Sequence, residues 1–194
     1  MWNNTLKRAF DIYFSLTALV LLAPVFLLLA ALVKATSPGP VFFKQKRIGV
    51  NQREFFIYKF RTMVRQNRRM SDTTWTTPGD SRVTRVGRFM RRTGLDELPQ
   101  FWNVLTGDMS VVGPRPERKY FVELFNKDHP NYGIRHLVKS GITGLAQVNG
   151  LRGDSSIAKR LEYDIQYTEN WSLWLDLKII WLTLFGSDVR KNAY

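Results

Sequence analysis

The sequence predicts an α+β fold that is mainly helical and enters a membrane at its N-terminus. Three observations predict it. Ile12 to Val33 carries no formal charge, is long enough to cross a bilayer core as a helix, and is interrupted near its middle by Pro24. Two runs rich in strand-favouring residues, 41–47 and 53–60, flank Gly49-Val50-Asn51-Gln52 and read as an antiparallel β-hairpin. The segments 117–126, 155–168 and 171–185 read as helices.

Taken in order, the apolar run is preceded by Lys7 and Arg8, with Asp11 at its edge. It is too long for a signal-peptide core, and no small-x-small cleavage site follows. Lys34, Lys44, Lys46, Arg47 and Arg53 come after it, so both flanks are basic and both belong on the cytoplasmic side. A helix that bends at Ala23-Pro24 and returns to the same face is therefore favoured over a straight span. Ser37-Pro38-Gly39-Pro40 ends it and divides the chain into an anchor, residues 1–40, and a cytoplasmic globular domain, residues 41–194.

In the hairpin, lysines and arginines interleave with aromatic residues, a pattern that suits nucleic acid or an acidic membrane surface. From Arg61 to Arg92 the chain is strongly basic, with Arg65, Arg68, Arg69, Arg82, Arg85, Arg88 and Arg91. Residues 73–80 break that run and are expected to form a mobile loop.

Two adjacent carboxylates, Asp96 and Glu97, follow Arg91 and Arg92. Thr93, three residues before Asp96, reads as a helix entry, and Pro99 is tolerated only in a first turn. The helix dipole would then favour both ionised forms by about 0.3–1 kcal/mol. An ionised carboxylate can attack as a nucleophile or hold a divalent cation; a solvated, capped helix end is the alternative. Further on, Pro114 and Pro116 stiffen the backbone around Arg115, which suits a phosphate ligand or a plain turn. Gly141 to Gly144 and Asn149-Gly150 mark turns around 145–148, either ordinary ones or ones that let amides approach a phosphate. Ser155 or Ser156 caps a helix to about Thr168. In the tail, Trp174, Trp181 and Phe185 share a face, while Asp176 and Lys178 argue against a bilayer span. A helix lying among headgroups and a packed core helix both fit.

The net charge of +13 calls for an anionic partner: nucleic acid, acidic lipid or a phosphorylated substrate. With no cysteine and two histidines, thiolate and histidine-rich metal sites are excluded. Oxygen donors remain, which suit Mg²⁺ or Mn²⁺. Arginines, a carboxylate pair and a membrane element together suit phosphoryl transfer to a lipid.

The chain resembles the bacterial sugar transferase family, the monotopic polyprenyl-phosphate phosphoglycosyltransferases, over nearly its whole length. The resemblance is carried by residues 7–11, Ser37-Pro38-Gly39-Pro40-Val41-Phe42, Tyr58-Lys59-Phe60-Arg61-Thr62-Met63, Leu95-Asp96-Glu97-Leu98-Pro99-Gln100, 107–116 and 141–150. It implies a mixed, mostly helical fold with a re-entrant helix and amphipathic interfacial helices on the cytoplasmic face of the bacterial plasma membrane. It implies that residues 41–194 are catalytic. The donor would be a UDP-sugar, the acceptor undecaprenyl phosphate and the by-product UMP, in the priming step of exopolysaccharide, capsule or O-antigen synthesis. Asp96 matches the family nucleophile and Glu97 the Mg²⁺ ligand. Arg91 and Arg115, and more weakly Lys59, would hold phosphates or nucleotide. Gln147 and Asp164 lie in family motifs on the substrate side without an assigned role. Membrane phospholipids are implied partners, nucleic acid is not, and a homodimer is compatible.

Two departures show. Many members carry Ser-Pro where this chain has Ala23-Pro24, which removes a hydroxyl able to satisfy a freed carbonyl. Many with a similar 171–178 tail carry further N-terminal membrane helices, so this sequence is a short form or a piece of a longer one. The sugar is expected to be glucose or galactose, then an N-acetylated amino sugar. A non-catalytic, membrane-bound scaffold or regulator and a nucleic-acid module stay open as alternatives.

Overall fold

The computed structural model describes residues 4–64, 73, 79–153 and 155–187. Asn4–Leu21 forms α1 and Ala23–Thr36 forms α2, bent by 63° relative to each other. Pro24 sits in the first turn of α2, where its missing N–H leaves no bond unmade. Among the described residues no single helix is long and apolar enough to cross a membrane, whereas this bent pair meets the test jointly by length and composition. The kink expected at Ala23-Pro24 is there.

β1 (Phe42–Ile48) and β2 (Glu54–Phe60) form the expected antiparallel hairpin, paired from Phe42↔Phe60 to Ile48↔Glu54. Arg65, Arg68, Arg69 and most of the 73–80 loop lie outside the described residues. Arg85–Thr93 forms α3, whose Thr84 cap accepts a bond from Gly87 N at 2.9 Å.

The acidic pair is placed differently from the expectation. Thr93 ends α3, with its hydroxyl donating back to the carbonyls of Phe89 and Met90 at 2.9 and 3.1 Å. Gly94 takes a left-handed φ of 73° and closes that helix. Leu95–Glu97 is then one 3-10 turn, and α4 (Gln100–Thr106) starts only after Pro99. Asp96 and Glu97 thus sit in the elbow between two helices; the exit signal at Gly94 overrides the entry signal at Thr93.

A second sheet was not foreseen. β3 (Ser110–Val112) and β4 (Gly141–Thr143) pair in parallel, joined through α5 (Lys119–Asp128) and a 3-10 segment at Pro130–His136. The 117–126 helix begins later than expected because Glu117 pairs strand-like with Ile48. The glycines neither make a turn at 141–143 nor, by this geometry, need a phosphate to explain them. A Cβ on Gly141 would lie 2.1 Å from Gly113 N, and one on Gly144 would lie 2.2 Å from Gly113 O. They let two backbones touch.

Leu145–Val148 is a short helix, α6, followed by α7 (Ile157–Glu169) and α8 (Leu173–Phe185), capped by Ser156 and Ser172. One face of α8 is packed in the core, and its aromatic face is open. Asp176 and Ile179 are fully buried, while Trp174, Trp181 and Phe185 are 76%, 63% and 66% exposed.

Three apolar clusters hold the elements. Val104, Met109, Val111, Val112, Tyr167 and Ile179 form the centre. Phe121, Phe125, Tyr132 and Leu161 join α5 to α7. Leu29 and Val33 of α2 pack on Phe60 and Met90, with Leu95 and Leu98 against them. The elbow that carries the acids therefore rests directly on the bent N-terminal pair. Gly113→Ala should destabilise the fold by about 2–4 kcal/mol, since its Cβ would lie 2.3 Å from Lys139 O and backbone must move. Chemical denaturation in detergent checks this; an unchanged midpoint would contradict the close contact.

Candidate active site

Glu97 is the hub of the site. Lys59 of β2 donates to its Oε1 at 2.6 Å. Arg115, from the loop after β3, donates through Nη1 to Oε2 at 3.1 Å and through Nη2 to Oε1. This is a two-pronged guanidinium–carboxylate pair with a lysine added, all partly buried. Arg91 sits at the end of α3 with Nε on the Thr62 hydroxyl at 2.8 Å, close enough for its charge to act on Asp96.

Asp96 differs from its neighbour. It is 7% exposed and accepts no hydrogen bond among the described residues. Burial pushes its carboxyl up to about 6, Glu97 adds to that, and the charges of Lys59, Arg91 and Arg115 only partly offset it. For Glu97 burial acts in the same sense, but Arg115 and Lys59 outweigh it and hold the carboxyl well below its ordinary range. The sequence expectation that a helix dipole would ionise both acids alike gives way to an ion-paired acid beside an unpaired one. Burial lowers the Lys59 ammonium, against the pull of Glu97.

The loop that presents Arg115 is clamped. Its three successive carbonyls each take a bond: Pro114 from Gly141 N at 2.9 Å, Arg115 from Arg135 Nη2 at 2.7 Å, and Pro116 from Arg47 Nη1 at 3.2 Å. Prolines on both sides remove two N–H groups that this loop could not have paired.

Lys59, Arg91, Asp96, Glu97 and Arg115 thus converge as expected, whereas Gln147 and Asp164 do not join them. Gln147 is buried in α6 and donates to Ile142 O at 3.1 Å. Asp164, in α7, is taken up by Arg135, through Nε at 2.9 Å and Nη2 at 2.8 Å. It therefore stands behind the site and orients the arginine that grips the Arg115 carbonyl.

Arg152 went unnoticed in the sequence. Burial lowers its guanidinium pKa, and its charge acts on Arg115, Glu97 and Asp96. Its signal is an arginine between two turn glycines, Gly150 at φ 77° and Gly153 at φ 57°. Asn103 was missed as well. It pins α4 to β2 by accepting from Tyr58 N at 3.0 Å and donating to Phe56 O at 2.7 Å.

Among the described residues no three acidic, histidine or cysteine side chains gather in one place. Asp96 and Glu97 offer two carboxylates, and Glu97 Oε2, with one bond accepted, keeps a lone pair open. That set fits Mg²⁺, which is commonly held by one or two carboxylates together with water and substrate phosphates. The whole arrangement suits an anionic substrate whose phosphorus meets an unpaired carboxylate inside a ring of cations.

The profile of the family described as bacterial sugar transferase matches residues 2–187. A UDP-glucose:undecaprenyl-phosphate glucose-1-phosphate transferase of Escherichia coli K12 is 48% identical over 99% of this chain and 42% of its own length. A UDP-N-acetylgalactosamine-undecaprenyl-phosphate N-acetylgalactosaminephosphotransferase of Aeromonas hydrophila is 46% identical over 92% of this chain and 43% of its own. The exopolysaccharide production protein PSS of Rhizobium leguminosarum bv. phaseoli is 43% identical over 97% of this chain and 98% of its own. The chain spans about two fifths of the length of the first two relatives.

The raised Asp96 pKa has a sign for stability. Folding penalises the ionised form, so wild-type stability falls as pH rises from the ordinary carboxylate range through about 6, and stays lower above it. Asp96→Asn removes that charge. It should raise the melting temperature by a few degrees (about 2–4 °C per kcal/mol) at pH 8 and by much less at pH 4.5. Equal shifts at both pH values would show that burial does not disfavour this carboxylate.

Proposed function

The chain belongs to the bacterial sugar transferase family, and on that premise we propose that it moves a sugar-1-phosphate from a UDP-sugar to undecaprenyl phosphate and releases UMP. One observation carries the reading: Asp96 is buried, accepts no hydrogen bond among the described residues, and lies in the field of Lys59, Arg91 and Arg115. Such a carboxylate has both oxygens free of hydrogen bonds and is poorly solvated, which favours attack on phosphorus.

In the first half-reaction an Asp96 oxygen attacks the β-phosphorus of the donor. The bond from that phosphorus to the bridging oxygen breaks, and the electron pair leaves on UMP. Asp96 is left joined to the sugar phosphate as an acyl phosphate. In the second half-reaction an oxygen of the lipid phosphate attacks the same phosphorus, the bond from phosphorus to the Asp96 oxygen breaks, and Asp96 returns as a carboxylate. Arg115 and Arg91, with Lys59, balance the charge that builds on the transferring group. Glu97 fixes Lys59 and Arg115 in place for that task. Mg²⁺, if held by Glu97, would supply further charge neutralisation.

The bent pair α1–α2 acts as a re-entrant anchor from the cytoplasmic face, with basic residues at both of its ends. The exposed aromatic face of α8 lies among headgroups. The relatives are named for glucose and for N-acetylgalactosamine, so UDP-glucose is the first donor to test.

UDP-sugar alone should release about one UMP per enzyme, and turnover should need added lipid phosphate. Asp96→Asn should release none; stoichiometric UMP from that variant would remove Asp96 from the role. The rate of the first release should fall about tenfold per pH unit below pH 6, as Asp96 takes up its proton. The chain has no cysteine of its own, so Thr5→Cys and Thr36→Cys report topology cleanly. Both should be labelled from the cytoplasmic side, and labels on opposite faces would rule out the re-entrant anchor.

A further inference from the structure

Resting on that reading of Asp96 and Glu97 as the reaction centre, we infer that Asp11, in the first membrane-anchor helix, is a positioning residue for Arg115. It does so by holding β3, the strand that delivers this arginine to Glu97.

α1 carries an inward stripe that a helix surrounded by lipid would not tolerate: Lys7 is 6%, Asp11 1% and Ser15 0% exposed. Asp11 Oδ1 accepts the Ser110 hydroxyl at 3.0 Å and Val111 N at 3.0 Å. The pairing with β4 uses Ser110 and Val112, so Val111 N faces the other edge of the strand, and Asp11 satisfies it. On the next residue, Val112 O lies 3.0 Å from the Tyr167 hydroxyl, which lies 2.8 Å from Asp176 Oδ1. Asp176 Oδ2 in turn takes Lys7 Nζ at 2.8 Å and Trp171 Nε1 at 3.1 Å, and Lys7 returns to Asp11 at 3.4 Å.

These contacts close a ring of buried polar groups around residues 111 and 112. Gly113, Pro114 and Arg115 follow at once, and Arg115 pairs with Glu97. The same helical turn makes a parallel grip on α4, where Arg8 donates to Val104 O and Leu105 O at 2.5 and 2.6 Å. One turn of α1 therefore fixes two elements that flank the acids. A charge-assisted bond from a buried carboxylate suits this task, because it holds two donors in one geometry.

The test compares Asp11→Ala, Asp11→Asn and Tyr167→Phe in detergent-purified protein. UMP release from UDP-glucose in a single turnover gives one readout. Hydrogen exchange across residues 110–115, without substrate, gives the other. Asp11→Ala should slow UMP release about tenfold to a hundredfold and speed exchange at 110–115. Asp11→Asn keeps an acceptor for Ser110 and Val111 and should recover most of the rate. Tyr167→Phe should loosen the same segment to a lesser degree, and serves if Asp11→Ala does not fold. A wild-type rate in Asp11→Ala would overturn the proposal. So would an asparagine variant as slow as the alanine one, because Asp11 would then act only as a charge partner for Lys7. The exchange readout is independent of chemistry. Absence of UMP from wild type would sink the functional reading alone, whereas unchanged exchange in Asp11→Ala would sink this one.

Discussion

Two cations from separate parts of the chain, Lys59 and Arg115, close on one carboxylate, Glu97. That contact defines the site. It recruits β2 and the loop after β3 to the same elbow, and it consumes the nearest positive hydrogen-bond donors. Asp96, one residue away, is left inside their field without a bond to any of them. A single salt-bridged acid therefore does two things: it fixes the cations and it leaves its neighbour unpaired. Environment alone separates two carboxylates of the same chemical type.

The rest of the fold serves to keep that contact in register. Buried ion pairs are weak evidence for stability but hold geometry well when every remaining donor and acceptor is satisfied. Arg115 meets this condition through its backbone, because three carbonyls in succession are bonded from three different directions. Asp164, Arg135 and Tyr132 form the buried layer behind it. Leu95 and Leu98, on either side of the acids, pack on α2, so the elbow cannot move independently of the N-terminal pair. The placement of the bent pair and the placement of the site are then one mechanical problem.

Local signals were legible in the sequence, and distant pairings were not. The hairpin, the kink at Pro24, the helix entered at Ser156 and the apolar tail helix follow from period, proline chemistry and one cap. Arg115 could be nominated as a phosphate ligand from its flanking prolines, and Arg91 and Lys59 from the family resemblance. The parallel sheet was hidden: its strands are three residues each, about thirty residues apart, and marked only by glycines whose use is close backbone approach. Gln147 and Asp164 were nominated with the site because their stretches carry the family resemblance. Chain position does not tell a side chain that touches the acids from one that orients an arginine behind them. Arg152 lies between turn glycines, which loosen a backbone where the prolines beside Arg115 stiffen it, so it carries no comparable signal.

The surface and the site solve opposite problems with the same residue types. The chain carries a net charge of +13, and Trp174, Trp181 and Phe185 stand exposed. A soluble protein gains little from such a face, while a bilayer surface rewards both parts of it, since acidic headgroups meet the cations and rings settle at the interface. Around Asp96 the cations are few, buried and fixed. Three of them fall short of restoring an ordinary carboxylate pKa because desolvation is the larger effect. Glu97, one residue away, shows the opposite balance, because direct bonds from Arg115 and Lys59 outweigh the same burial. Among the described residues, Arg152 adds a further positive charge that reaches Arg115, Glu97 and Asp96.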